Sequence, residues 1–154
     1  MRKFALTSAF ALALFLVVAV PAMAAPGHTV TMTEHQHGSW VETDTNPVTR
    51  DSIDVHFDGN SVSHMTYFPA GDEVWATFTE TGRIWFVDKG VTYSGHATAW
   101  GNFNMNQRNA NQTFTLTIHA IGTDGTSVWA HETSHITYNG NGVVTVSFDK
   151  LRLN

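Results

Sequence analysis

The chain has 154 residues, a net charge of −5 and no cysteine. This excludes a disulfide-stapled scaffold. An acidic chain with no basic cluster also argues against nucleic acid or an anionic membrane surface as partner. Nine His and five Trp are the compositional oddities.

Arg2 and Lys3 precede an apolar run over residues 4–20, interrupted by Thr7 and Ser8; Pro21 and the small-x-small string Ala22-Met23-Ala24 follow. This is the anatomy of a secretory signal peptide. The run is short for a spanning helix, which needs about 20 apolar residues, and without cysteine no lipoprotein anchor can form. Cleavage after Ala24 is expected. It leaves residues 25–154 as a single secreted, extracellular domain with no membrane span and a net charge of −7, since Arg2 and Lys3 depart with the leader.

Beyond residue 24 no stretch keeps a helical period, and alternation dominates. Residues 28–37 read as a first strand. Residues 38–50, with Pro47 and little periodicity, read as a loop. Residues 52–57 and 61–68 read as a hairpin about Asp58-Gly59-Asn60. Pro69-Ala70-Gly71-Asp72 turns the chain into 73–79, and Thr81-Gly82 leads into 83–87. Asp88-Lys89-Gly90 turns it again, before three long strands over 91–105, 112–121 and 126–138. Asn139-Gly140-Asn141-Gly142 opens the last one, 143–153. Asp-Gly and Asn-Gly are strong hairpin signals because they tolerate positive φ.

The expected fold is therefore all-β, an antiparallel meander of eight or nine strands. Long strands with no covering helix bury a face by closing on themselves, which also removes sticky edges. A barrel of about eight strands, lipocalin-like or allene-oxide-cyclase-like in shape, is the expectation, with a two-sheet sandwich as the alternative.

Two parities differ in chemistry. One carries Val74, Phe78, Ile84, Phe86, Tyr93, Ala97, Ala99, Phe114, Leu116, Val128, Ala130, Ile136, Val144, Val146 and Phe148, and reads as the core face. The other is a lawn of Thr bearing Trp75, Trp85, Trp100 and Trp129 with His96, His119, His131 and His135. Trp40 and Val41, in the 38–50 loop, are the available cover for that second face.

The string His131-Glu132-Thr133-Ser134-His135 spells H-E-x-x-H. On a helix that spacing gathers two His on one zinc, with Glu as base. Here turn signals and strand formers flank it, so the imidazoles should stand about 13 Å apart, too far to share an ion. Glu132 should face the core, with Arg108 or Arg152 as candidate partners. His35 and His37 share a strand face and form a candidate metal pair that needs a third ligand. The Asn-rich stretch 102–111 reads as a polar rim at the barrel mouth. There is no nucleophile elbow and no phosphate loop, so no catalytic residue and no cofactor are assigned.

The run Asn102-Phe103-Asn104-Met105-Asn106-Gln107-Arg108-Asn109, the segments 113–118 and 122–126, the string from His131 to His135, and Ser147-Phe148-Asp149-Lys150 together resemble a family of small secreted actinobacterial proteins of unassigned function. The resemblance covers most of residues 25–154, best from Tyr93 onward. In the family pattern one Cys follows Asn-Pro and another ends the chain; here Val48 follows Asn46-Pro47 and the chain stops at Leu153-Asn154. The resemblance implies an exported β protein and brings no activity with it.

Three function classes stand in order. The first is a barrel binding a small apolar or amphipathic ligand, with Tyr93, Phe114 and Glu132 from the interior parity and Trp100, Trp129 and His131 from the other as candidate contacts. The second is a surface-recognition or self-associating protein using the Trp/Thr/His face, for which oligomers are expected. The third is a metal-dependent hydrolase using His35 and His37 or the H-E-x-x-H string.

Overall fold

A computed structural model describes residues 28–46 and 49–153; the expected signal peptide lies outside them. Among the described residues seven strands follow one another: β1 (Val30–Thr45), β2 (Ser52–Phe68), β3 (Glu73–Asp88), β4 (Val91–Met105), β5 (Asn109–Gly122), β6 (Ser127–Asn139) and β7 (Val144–Leu153), with a 3-10 turn at Pro69–Gly71. Each strand pairs antiparallel with the next, in one sheet of order β1 to β7. Among the described residues β7 does not pair with β1. The expected barrel is thus corrected to an open seven-stranded meander, and the sandwich to one sheet. Among the described residues no helix is long and apolar enough to cross a membrane.

Three segments read as turns or loop lie inside strands. Gly59, from the supposed Asp58-Gly59-Asn60 turn, pairs with Gly82, from the supposed Thr81-Gly82 turn, and Gly38 faces Gly59 from β1. A Cβ on Gly59 would sit 2.5 Å from the Thr81 carbonyl oxygen and 2.7 Å from the Phe57 ring; one on Gly82 would sit 2.6 Å from that ring. These glycines let backbone and ring approach closely, the second meaning of glycine in a strand. Residues 38–45 continue β1. Trp40 stacks on Phe57 with centroids 4.2 Å apart, and Val41 is exposed. Among the described residues of the expected loop, 38–45 are strand and Trp40 packs on the side of Phe57, so they do not cover the Trp face. The Lys89-Gly90 turn is as read, with φ of 49° and 81°, which fits a two-residue type I′ hairpin.

Ile53, Val55 and Phe57 of β2, Ile84 and Phe86 of β3, Ala97 and Ala99 of β4, and Phe114, Leu116 and Ala120 of β5 belong to one buried cluster, with Ile118 and Val128 packed against it. A recess of about 40 Å³ is lined jointly by Asp44 to Asn46 and Ile53 from the start of the sheet and by Ile118, Val128 and Ala130 from its end. The sheet therefore curls until β1 and β2 share one core with β5 and β6, although among the described residues no strand ladder closes it. The recess has room for a few waters at most. Asn46 donates from Nδ2 to Asp88 Oδ2 at 2.8 Å, and both residues are buried. This pair ties the end of β1 to the end of β3.

The parity expected for the core holds through β3, β4 and β5 and fails in β7. Register pairs Phe148 with His135 and Arg152 with His131, while Leu151 faces Glu132. Opposed residues share a face, so Phe148 stands on the solvent side with the Thr and His residues, half-exposed at 50%. Val144 and Val146 are exposed as well. A register irregularity lies at Thr137/Tyr138, and a one-residue slip moves a whole strand's side chains to the other face.

Candidate functional site

The outer face is organised by cross-strand pairs. Thr33 and His64 Nδ1 are 2.8 Å apart, Thr113 and His135 Nδ1 2.8 Å, and Thr117 and His131 Nδ1 2.9 Å. The same contact recurs three times because Thr and His stand directly opposite in each register. His135 Nε2 also reaches Thr137 at 3.0 Å, and His131 Nε2 reaches Thr133 at 3.5 Å. Hydroxyls donate or accept, so each ring is served whichever nitrogen carries the proton.

The H-E-x-x-H string lies wholly on β6. His131 and His135 are held separately by Thr117 and Thr113, about 13 Å apart at ~3.3 Å per residue. Glu132 is buried on the opposite face, and Arg152, one of its expected partners, is across from His131 instead. His35 and His37 share the outer side of β1; His37 Nε2 lies 3.7 Å from Asp58. Among the described residues no three His, Cys, Asp or Glu side chains converge as a metal site.

The six expected ligand contacts divide between two faces. Tyr93 stacks on Phe86 at 5.0 Å, and its hydroxyl is 3.0 Å from that of Thr126. Phe114 stacks on Phe78 at 6.2 Å within the core. Register puts Glu132 in one concave row with Leu116, Ala99 and Glu80. Burial raises the Glu80 pKa. Burial also raises that of Glu42, with Asp44 adding repulsion. Trp100, Trp129 and His131 stand on the other side of the sheet.

On that outer side the tryptophans fall into a pattern that parity alone did not reveal. Trp75 faces Asn104, Thr79 faces Trp100, and Arg83, His96, His119 and Trp129 form one cross-strand row. From Trp75 to Trp100 is four residues along and one strand over. From Trp100 to Trp129 is four more along and two strands over. At ~3.3 Å per residue and ~4.8 Å per strand, the steps are about 14 and 16 Å, in nearly one direction. Trp75 is 51% exposed and Trp100 45%. The Trp75 indole is held in place: Nε1 donates to Glu73 Oε1 at 2.5 Å, and Phe68 meets the ring edge-on at 5.2 Å. Trp129 stacks over His131 at 6.1 Å. Trp85 lies off the line and stacks flat on His56 at 3.3 Å.

No family model, no curated protein and no solved structure matches this chain.

Proposed function

We propose that the protein is an exported recognition module that binds through the outer face of β3 to β6. The observation that carries this reading is the line Trp75, Trp100 and Trp129, with Trp75 and Trp100 exposed and Trp129 half-buried, on the face opposite the buried cluster. Rigid aromatics at a wet surface give large contact area at low entropic cost. Export, and kinship with small secreted actinobacterial proteins, belong to the same proposal. Co-sedimentation with the insoluble envelope of the producing cells tests it. Trp100→Ala should lower the bound fraction about tenfold, as loss of a central aromatic contact does. Equal sedimentation of the variant and the parent would overturn the reading.

A second reading has its own support. The concave row Glu80, Ala99, Leu116 and Glu132 sets two carboxylates about an apolar floor, which suits a small amphipathic ligand. Native mass spectrometry of the secreted protein separates the two, since a co-purifying small molecule belongs only to the second. A metal-dependent hydrolase draws no support from His131 and His135, which lie four residues apart on a strand, nor from His35 and His37, beside which no third ligand converges among the described residues.

A further inference from the structure

We propose that the outer-face line is a track for one chain of a neutral polysaccharide, which runs from Trp75 over Trp100 to Trp129. The inference rests on the outer-face reading above and names its ligand class.

Three features choose this occupant. The first is spacing. Contacts about 14 and 16 Å apart correspond to steps of a few sugar rings along an extended polymer. A globular protein partner would instead favour a contiguous, desolvated centre ringed by neutral contacts, and polar residues interrupt this line. The second is charge. The side chains between the tryptophans are Thr77, Asn102, Thr98, Thr117 and His119. None is a carboxylate, Lys or Arg, in a protein that is acidic as a whole; the Glu73 carboxylate stands at the Trp75 end, outside the stretch between the tryptophans. An uncharged strip offers no counter-charge to an acidic or basic polymer and no penalty to a neutral one. The third is chemistry. Hydroxyls, an amide and an imidazole both donate and accept hydrogen bonds, as sugar hydroxyls do. The indoles supply flat apolar surface for the C–H faces of the rings. Trp75 is already oriented by Glu73 and Phe68, so little of its freedom is lost on binding.

The track also predicts what it excludes. Trp85 is equally exposed but is stacked on His56 and stands off the line, so it should not matter.

The test is co-sedimentation of the full secreted protein with insoluble cellulose, chitin and starch, beside the acidic polymer polygalacturonate. Retention is expected on at least one neutral polymer. Trp75→Ala and Trp100→Ala should each weaken it about tenfold, equivalent to roughly 1.4 kcal/mol, and Trp85→Ala should leave it unchanged. These side chains are on the surface, so the variants should keep the parent melting temperature. Binding should also survive a rise from about 0.1 M to about 1 M salt, which shortens screening from roughly 10 to 3 Å. Binding only to the acidic polymer, loss of binding in high salt, or equal loss with Trp85→Ala would overturn the track. Binding to the cell envelope that depends on Trp100, with none to any neutral polymer, would overturn the track and leave the outer-face reading standing. Absence of both kinds of binding would overturn both.

Discussion

β3 and β7 carry similar apolar alternation and end in opposite situations. In β3, Phe78, Ile84 and Phe86 are buried. In β7, Val144, Val146 and Phe148 are all about half-exposed. The difference is in what surrounds each strand. β3 has a partner on both sides, and the curl brings the far end of the sheet over its inner face. β7 has a partner on one side only, and its register turns Phe148 outward beside His135. Alternation tells which residues share a face; burial requires a second surface to meet that face.

The sharpest way to break this comparison is to truncate one side chain in each strand. Ile84 is 1% exposed, so Ile84→Ala should cost about 3–4 kcal/mol through lost transfer energy and a residual cavity. Phe148→Ala should cost less than about 1 kcal/mol, because its ring is already half in water. Urea denaturation midpoints at unchanged slope measure both. Comparable losses would mean that β7 is covered in solution, for which a second copy of the chain is the direct explanation.

A smaller effect is expected at the end of β3. Asn46→Ala removes the donor that faces buried Asp88, and should cost about 1–3 kcal/mol by leaving a buried acceptor short of a hydrogen bond. The same denaturation curves report it. A neutral result would show that this end of the sheet opens to water and that the shared core is looser than β3 implies.

The smallest effect is a pH dependence from the middle of β3. Burial raises the pKa of Glu80 above its ordinary value of 4.5. Between that value and the higher folded one, the folded protein binds more protons than the unfolded chain. Stability from this group is therefore greatest below pH 4.5 and falls as pH rises through the folded value. Glu80→Gln should raise the melting temperature at pH 7 relative to the parent, and the gain should shrink at pH 4. A gain that is the same at both pH values would show that Glu80 titrates normally and that its surroundings are wet.

The parts of this fold that were legible in the sequence are those set by near neighbours. The faces of β3 to β5, the strand placement of the H-E-x-x-H string, and the Lys89-Gly90 and Asn139-Gly142 turns all follow from local chemistry. The misreadings come from contacts distant in sequence. Gly59 and Gly82 look like turn residues, and only the approach of one strand to the other explains them as strand interior. Residues 38–45 lack clear periodicity, yet β2 supplies a full ladder of partners and extends β1 through them. The tryptophan line is the same kind of case. Parity put four Trp on one side, but only the register across β3, β4, β5 and β6 places three of them in a row.

The order of the sheet has one more consequence. Since, among the described residues, each strand forms its ladders with its predecessor and successor alone, no strand pairing waits on a distant part of the chain, and the entropy of loop closure stays small at each addition. A chain that appears N-terminus first, as in synthesis, can zip strand upon strand, each new segment docking on a finished template. β7 would arrive last, and until it does β6 would serve as the growing edge. Such sequential assembly needs no prolonged unfolded pool.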